Sequence, residues 1–201
     1  MDRHFVYHQL FDCLEQDICP ICTLIGRNID KFIDSFLYES VNDYKIRGDI
    51  KRAGGFCNYH AWRLQKAGDP LAHAIIYSGL LEQEIRNMQN YLKNKLICKG
   101  FFSKRQAAIN ANQCLKKSFY SNYMCPFCKM VNESERTYIS SFAEYIAQDA
   151  EFKNRFKERG FLCVPHIIKL INYCNDSYTI KEIMRMQLEK LKKLSNDLNE
   201  I

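Results

Sequence analysis

Apolar residues recur at steps of three and four along most of the chain, which is the spacing of one face of an α-helix. The first half shows this pattern from Ile29 to Tyr44 and again from Leu80 to Leu92. The second half shows it from Val131 to Ala147 and from Ile183 to Leu194. A further short helix is predicted over residues 6–14. Because no segment convincingly alternates apolar and polar residues as a half-buried strand does, the pattern predicts an all-α protein.

Turn and cap residues punctuate these helices. Gly54 and Gly160 interrupt the apolar pattern, and we expect tight turns there because glycine adopts backbone conformations that other residues avoid. Asp69, directly before a proline, has the residue type that commonly caps a helix start. Thr179 and Glu182 have the spacing of a capping box, which predicts the start of the last helix.

The chain contains an internal repeat, and a repeat sets the architecture. The stretch from Cys19 to His60 aligns without a gap on the stretch from Cys125 to His166, at a constant offset of 106 residues. Each stretch begins with Cys-Pro-x-Cys and ends with Cys-x-x-His, and apolar positions between these motifs also coincide. The predicted fold is therefore two pseudo-repeated helical units, each with a Cys-Pro-x-Cys knuckle and a Cys-x-x-His helix start that close a metal site.

Charge is concentrated between the two repeats. The net charge is +6, yet residues 85–132 contain nine Lys and Arg residues and no Asp or Glu, which leaves −3 for the rest of the chain. The predicted domains are an N-terminal zinc-knuckle helical repeat (1–97), a basic connecting segment (98–122) and a C-terminal zinc-knuckle helical repeat (123–201).

The cysteine and histidine motifs have the spacing of metal ligands. Structural zinc takes four Cys or His ligands in a tetrahedron, and each repeat supplies three cysteines and one histidine. We expect each repeat to close its own site, with both ligand pairs at helix starts, where the helix dipole favours thiolates. The first predicted set is Cys19, Cys22, Cys57 and His60, and the second is Cys125, Cys128, Cys163 and His166.

Two zinc ions per chain are the predicted cofactors. Complete ligation by three cysteines and a histidine matches closed structural zinc sites, whereas iron–sulfur clusters mostly take four cysteines. An iron–sulfur cluster on the same residues, or thiol–disulfide exchange by the Cys-x-x-Cys pairs, stays as the alternative. Because four protein ligands leave no open position on the metal and no phosphate-loop or hydrolase motif is present, a non-enzymatic binding or adaptor role is favoured.

The connecting segment interleaves basic and aromatic residues, a combination typical of proteins that bind single-stranded nucleic acid. The alternative, which the modest overall charge favours, is a solvated linker whose aromatic rings dock on the two cores. The partner is expected to be an unidentified protein or a nucleic acid. The candidates for contact with nucleic acid or another acidic partner are Lys99, Lys104, Arg105, Lys116 and Lys117.

The sequence contains no segment of signal-peptide or membrane-span length, which predicts a cytoplasmic protein that does not bind membranes. In a reducing compartment its ten cysteines are expected to persist as thiols or metal thiolates. Trp62, two residues after a predicted ligand, is expected to pack beneath the metal site. The cysteines outside the ligand spacing are expected to be buried or partly buried thiols; they are Cys13, Cys98, Cys114 and Cys174.

The ordered motifs resemble a known family. They are Cys-Pro-x-Cys, a helix containing Tyr-Glu-Ser, Gly-Phe-Cys-x-x-His, a second Cys-Pro-x-Cys and Gly-x-x-Cys-x-x-His. Together they resemble an uncharacterised family of small cysteine-rich proteins of bacteria and archaea, over residues 5–194. The resemblance implies paired metal-type motifs and a prokaryotic cytoplasmic setting, and it implies no substrate.

Overall fold

A computed structural model of the chain describes residues 3–16, 18–94 and 123–200. These residues contain nine α-helices and one π-helical turn, and none of them forms a strand, which confirms the predicted all-α class. Within the same ranges, every helix is too short or too polar to cross a lipid bilayer.

Five α-helices belong to the first half of the chain and four to the second. The first five are α1 (Arg3–Cys13), α2 (Pro20–Ser35), α3 (Tyr44–Arg52), α4 (Asn58–Lys66) and α5 (Pro70–Asn94). The last four are α6 (Pro126–Gln148), α7 (Ala150–Glu158), α8 (Val164–Ile171) and α9 (Ser177–Asn199). The π-helical turn, Phe36–Ser40, continues α2 directly.

The long apolar pattern that begins at Ile29 belongs to two helices and not to one. The α2 helix and its π-helical turn end at Ser40, and Asp43 then caps α3 by accepting a 2.8 Å hydrogen bond from the Ile46 N–H. Tyr44, predicted to share the buried face, is therefore the first residue of a new helix, and it is 92% exposed.

Positions 106 residues apart carry the same cap. Asp149, the counterpart of Asp43, accepts a 2.8 Å hydrogen bond from the Phe152 N–H at the start of α7. Both α3 and α7 contain nine residues. Each half therefore folds as a long helix from a Cys-Pro-x-Cys motif followed by a short, aspartate-capped helix before the Cys-x-x-His motif.

The chain forms two compact units that do not follow its order. Unit 1 comprises residues 1–29 and 131–201, and unit 2 comprises residues 30–130. Both boundaries fall inside helices, α2 and α6. This division differs from the predicted domains at 1–97 and 123–201, because each unit takes the beginning of one long helix and the end of the other. The predicted connecting segment, 98–122, lies outside the described residues.

Aromatic rings fill the core of unit 1. Tyr138, Phe142 and Phe152 are completely buried on α6 and α7, and the Phe142 and Phe152 ring centroids lie 5.1 Å apart in an edge-to-face arrangement. The buried phenol of Tyr138 is paired on both sides. It accepts a 2.9 Å hydrogen bond from Asn28 Nδ2 and donates one of 3.2 Å to Gln9 Oε1.

Phe127 anchors the core of unit 2. It is the third residue of the second Cys-Pro-x-Cys motif and is 1% exposed. Its ring centroid lies 5.4 Å from those of Phe32 and Phe36 and 4.8 Å from that of Phe56. One buried ring thus holds the cysteine turn against α2, the π-helical turn and the segment that leads into α4.

The glycines before the two Cys-x-x-His motifs serve different purposes. Gly54 has a φ of 70° and the next residue, Gly55, has a φ of 103°, so the expected tight turn is present there. Gly160 does not have a positive φ. A Cβ on Gly160 would lie 2.6 Å from Phe156 Cδ2 and 2.7 Å from Leu14 Cδ2. Close packing, and not backbone conformation, therefore excludes a side chain at Gly160.

One of the two predicted caps is present. Asp69 accepts a 2.9 Å hydrogen bond from the backbone N–H three residues later, at the start of α5, as predicted. The predicted capping box is wrong, because Asp176 caps α9 by accepting a 2.7 Å hydrogen bond from the Thr179 N–H. Glu182 instead forms an ion pair with Lys153.

Candidate metal centres

All four Cys/His pairs lie at helix starts, as predicted. Cys57 and Cys163 are the N-cap residues of α4 and α8. Cys19 and Cys125 directly precede α2 and α6, and their carbonyls accept the first helical hydrogen bonds. The second ligand of each pair follows three residues later, so both side chains project from the same helix start. The positive end of the helix dipole favours thiolate at these positions.

The pairs combine across the two halves of the chain, which corrects the predicted ligand sets. Each Cys-x-x-Cys faces the Cys-x-x-His of the other half. Site A consists of Cys19, Cys22, Cys163 and His166, and site B consists of Cys57, His60, Cys125 and Cys128. In each site the four donor atoms lie within 4.8 Å of one another. Site A belongs entirely to unit 1 and site B entirely to unit 2.

Helix lengths explain why a repeat does not close its own site. The sixteen residues of α2 carry the chain about 24 Å from the first Cys-x-x-Cys. The nine residues of α3 span only about 14 Å, which is too short to bring the chain back over the full length of α2. The second half has the same imbalance, since α6 has 23 residues and α7 has nine. Each Cys-x-x-His therefore lies partway along its own long helix and away from its own Cys-x-x-Cys: Arg63, three residues after His60, contacts Asp30, the eleventh residue of α2, and His166 contacts Glu135, the tenth residue of α6.

The donor atoms of site A converge on one point. His166 Nδ1 lies 3.3 Å from the sulfurs of Cys19 and Cys22 and 3.1 Å from that of Cys163. The sulfurs of Cys22 and Cys163 are 3.7 Å apart.

Site B has nearly the same dimensions. His60 Nδ1 lies 3.2 Å from the Cys57 sulfur, 3.3 Å from that of Cys128 and 3.7 Å from that of Cys125. The sulfurs of Cys57 and Cys128 are 3.5 Å apart.

These separations are close to those that one tetrahedral ion imposes. Zinc at its usual ligand distances places two sulfurs roughly 3.8 Å apart, and a sulfur and a nitrogen roughly 3.6 Å apart. The chemistry of the donor set fits as well, because three thiolates and an imidazole are ligands that a soft or borderline divalent ion prefers. Both sets of residues can therefore hold a metal ion.

Burial and repulsion from neighbouring thiols raise the pKa of a cysteine in each site, Cys22 in site A and Cys128 in site B. Burial, together with the neighbouring thiols of Cys19 and Cys163, raises the pKa of Cys22 to about 12. Burial and the thiols of Cys57 and Cys125 raise the pKa of Cys128 to about 12. Reactive redox cysteines have the opposite property, a lowered pKa. A cation among the sulfurs would offset the repulsion between three thiolates.

Glu135 and Lys169 extend site A beyond its ligands. His166 directs Nδ1 at the sulfurs, and its Nε2 lies 2.9 Å from Glu135 Oε1. Lys169 donates 2.6 Å hydrogen bonds to both Glu135 oxygens. Although burial opposes it, hydrogen bonds from Lys169 and His166 lower the pKa of Glu135, which favours the carboxylate. Burial lowers the pKa of His166 despite the nearby carboxylate, which favours the neutral imidazole that a metal requires.

The histidine of site B lacks such support. His60 is 3% exposed, and its Nε2 has no hydrogen-bond partner in the described part of the chain. Its ring lies edge-to-face on Phe127, with 5.8 Å between centroids. Burial, and secondarily the charge of Arg63, lower the pKa of His60. The imidazole is therefore neutral and apolar-packed, with its distal nitrogen unsatisfied.

Gln187 fixes the backbone that leads into the second ligand pair of site A. This buried side chain donates a 2.9 Å hydrogen bond to the Leu162 carbonyl and accepts one of 3.3 Å from the Leu162 N–H. Leu162 directly precedes Cys163. Neither Gln187 nor Glu135 was predicted from the sequence, since the residues 106 positions earlier, Leu81 and Ile29, are apolar.

Trp62 does not pack beneath a metal site, which corrects that prediction. It is 61% exposed on α4 and lines an open groove of about 780 Å³ together with Tyr59, Arg63 and two aspartates of α2. Its position explains this, because a residue two places after the buried His60 lies on the opposite side of the helix.

The remaining predicted residues divide into two groups. Cys13 is buried and Cys174 partly buried, as expected for thiols outside the ligand sets. The other two such cysteines, Cys98 and Cys114, lie outside the described residues. So do all the candidates for an acidic partner, namely Lys99, Lys104, Arg105, Lys116 and Lys117.

Fold and sites together define a class: an all-α protein with two Cys3His clusters that can hold a metal ion, each formed by residue pairs from both halves of the chain. Within this class, the chain belongs to the family of unknown function DUF6062, whose model matches residues 7–201. The resemblance seen in the sequence is thereby confirmed.

One relative in this comparison is an uncharacterized 23.9 kDa protein in the xynA 3′ region of Caldicellulosiruptor sp. (strain Rt8B.4). It is 32% identical over 192 residues, which cover 96% of this chain and 84% of that protein. No solved structure matches the chain. These comparisons define the family and assign no activity, so the function has to be argued from the geometry.

Proposed function

We propose that the protein binds two structural zinc ions, one in site A and one in site B, and acts as a non-enzymatic binding protein or adaptor. The spacing of the donor atoms carries this proposal. In both sites the distances from the imidazole nitrogen to the three sulfurs, and the distance between one pair of sulfurs, lie between 3.1 and 3.7 Å, close to those of a single tetrahedral ion. Three cysteines and a histidine occupy all four positions, which supports a structural ion and leaves none for a catalytic water.

The same spacing favours a single ion over an iron–sulfur cluster. A cluster distributes its cysteines over several irons, so the distances between irons add to the distances between sulfurs. Four donors within 4.8 Å of one another leave little room for more than one metal. The raised thiol pKa values oppose the thiol-exchange alternative. The proposal places the protein in a reducing compartment such as the cytoplasm, where thiolates persist.

Metal analysis of protein purified without oxygen tests this proposal. We expect a colourless protein with two zinc ions per chain. After exchange with Co²⁺, the visible spectrum should be that of tetrahedral cobalt with sulfur ligands. A brown protein that contains iron and inorganic sulfide would contradict the zinc proposal. A protein without metal would contradict both the zinc proposal and the iron–sulfur alternative.

The proposed binding partner is acidic, and the basic connecting segment is its proposed contact. The proposal rests on charge and aromatic content, since this segment lies outside the described residues. If the partner is single-stranded nucleic acid, affinity should fall steeply with salt. Neutralising four cations should weaken binding further; they are Lys104, Arg105, Lys116 and Lys117. Unchanged affinity in that variant, or no binding at low salt, would exclude nucleic acid and leave an acidic protein.

A further inference from the structure

The two centres differ in what their imidazoles contact. Both histidines direct Nδ1 at the sulfurs, so a metal would bind that nitrogen and the proton would lie on Nε2. In site A this proton has an acceptor, because Glu135 Oε1 lies 2.9 Å from His166 Nε2. In site B, His60 Nε2 is buried without a partner among the described residues.

Both sites have an ion pair near the histidine. Site A has the Glu135–Lys169 pair beside it, and site B has the corresponding pair of Asp30 and Arg63, with Arg63 Nη2 2.8 Å from Asp30 Oδ1. Lys169 and Arg63 are 106 residues apart and therefore equivalent in the repeat. Among the described residues, each site thus has one such ion pair beside it. In site A the carboxylate contacts the imidazole as well as the cation, whereas in site B His60 Nε2 has no hydrogen-bond partner among the described residues.

A carboxylate on the distal nitrogen acts on the metal through the ring. It holds the proton on Nε2, orients the imidazole and makes Nδ1 a stronger donor. Glu135 is 17% exposed at its side chain, so little water competes for this hydrogen bond. Such partners typically contribute about 10- to 100-fold to metal affinity.

In site B, none of the described residues accepts a proton carried on the distal nitrogen of His60. Without metal, His60 can carry its proton on Nδ1 and donate it to the sulfurs that lie 3.2 and 3.3 Å away. Metal binding at Nδ1 moves that proton to Nε2, where the described residues offer no acceptor. A buried donor without a partner is costly, so the metal-bound form of site B carries a cost that Glu135 removes in site A.

We propose that site A is the tighter zinc site and that site B is an exchangeable zinc site, with an affinity about 10- to 100-fold lower. This inference rests on the proposed function, because it requires metal in both sites. Site B would then be the centre that gains and loses zinc as the free zinc concentration changes, and Glu135 is the positioning residue that separates the two affinities.

An equilibrium chelator titration of the full chain with two zinc ions bound tests the inference. Total bound zinc is measured by dialysis and elemental analysis against chelators of increasing affinity. Trp62 is the only tryptophan in the chain and lies on α4, two residues after His60, so its fluorescence reports on site B. Equilibrium measurement is required, because the exposed Cys22 gives a chelator faster access to site A.

We expect the first zinc equivalent to leave together with the change in Trp62 fluorescence, and the second at a free zinc concentration about 10- to 100-fold lower. Glu135→Gln should bring the second step to within about tenfold of the first. The matched control Asp30→Asn changes the carboxylate that pairs with Arg63, and it should leave both steps in place.

Three results would overturn the inference: loss of both zinc ions in one step, loss of the first equivalent without the fluorescence change, or two steps that Glu135→Gln leaves unchanged. If Glu135→Gln does not fold, the order in which the unmodified chain releases its two zinc ions still tests whether site B binds zinc more weakly than site A. A purified chain that does not contain two zinc ions would instead contradict the proposed function, so the two failures are distinguishable.

Discussion

Replacing cysteines in pairs distinguishes ligation across the halves from ligation within each repeat. Cys22→Ser with Cys163→Ser removes two ligands of site A, and Cys22→Ser with Cys57→Ser removes one ligand of each site. Removing a second ligand from a site that is already broken costs no further metal, whereas losses at separate sites add. The first double variant should therefore retain one zinc ion per chain and the second should retain none.

Metal content is the appropriate assay because stability separates the two arrangements poorly. Site A joins residues 141 positions apart and site B residues 71 apart. Treated as cross-links, these closures stabilise the fold by about 5 and about 4.4 kcal/mol. Closure within a repeat, from Cys22 to Cys57, would contribute about 4 kcal/mol. The arrangements differ by about 1 kcal/mol or less per site, but they predict opposite metal contents for the two double variants.

The control is Cys174→Ser, which replaces a partly buried thiol outside both sites and should retain two zinc ions. Zinc is counted by elemental analysis of gel-filtered protein, with circular dichroism to verify that helices persist. If the Cys22→Ser, Cys57→Ser variant keeps one zinc ion and the Cys22→Ser, Cys163→Ser variant keeps none, the ligation across the halves described above is wrong.

Three further changes test the surroundings of the sites. Gln187→Leu should lower the free energy of unfolding by about 1 to 3 kcal/mol, because it leaves the N–H and the carbonyl of Leu162 unpaired. It should also weaken zinc binding in site A only. An equal loss of zinc affinity in both sites would contradict this. Gly160→Ala should lower the free energy of unfolding, measured by urea denaturation, by about 1 to 3 kcal/mol because its methyl group clashes with Phe156. Gly48→Ala is the matched control: it lies in a helix, its methyl group would have an ordinary 3.5 Å contact, and it should stabilise the protein by about 1 kcal/mol or less. Similar effects of the two substitutions would refute the packing argument. Burial lowers the pKa of Lys190 to about 8 from its usual 10.5, so the unfolded chain binds this proton more tightly than the folded chain does. Between pH 8 and 10.5 the free energy of unfolding of the unmodified protein should therefore rise relative to that of Lys190→Met, by about 1 to 2 kcal/mol after allowance for the partial exposure of Lys190. A difference between the two proteins that does not depend on pH would refute the shift.

The helices and the cysteine and histidine pairs that come together could be predicted because both depend on local spacing. Residues three apart at a helix start project to the same side, so the Cys-x-x-Cys and Cys-x-x-His pairs can be recognised without knowledge of the fold. The turn at Gly54 and the helix cap at Asp69 could be predicted for the same reason, since a positive φ and a helix cap each depend on one residue and its neighbours.

The partners of those pairs could not be predicted from spacing. Two Cys-x-x-Cys and two Cys-x-x-His pairs combine in two ways with the same chemistry, and proximity in sequence favours the wrong one. The deciding quantity is the difference in length between α2 and α3, which depends on where Asp43 starts a new helix. That boundary was hidden because the apolar pattern continues across it to Tyr44.

Residues that support only one of the two sites, such as Glu135, could not be predicted for a different reason. Glu135 has no acidic counterpart in the first repeat, so a comparison of the repeats gives no signal for it. Trp62, by contrast, could have been placed correctly. It follows His60 by two residues, about 200° around a helix, and both His60 and Leu64 are buried.

Ligation across the halves also sets an order on the synthesis of the chain, which emerges from its N-terminus. When the first 124 residues have been made, they contain half of site A and half of site B, and neither site can close. The four ligands present at that stage, Cys19, Cys22, Cys57 and His60, are those of the arrangement that the finished fold does not use. A zinc ion captured by this nascent set has to exchange its ligands before the fold is complete. Site B is completed first, at Cys128, and site A only after His166 has been added.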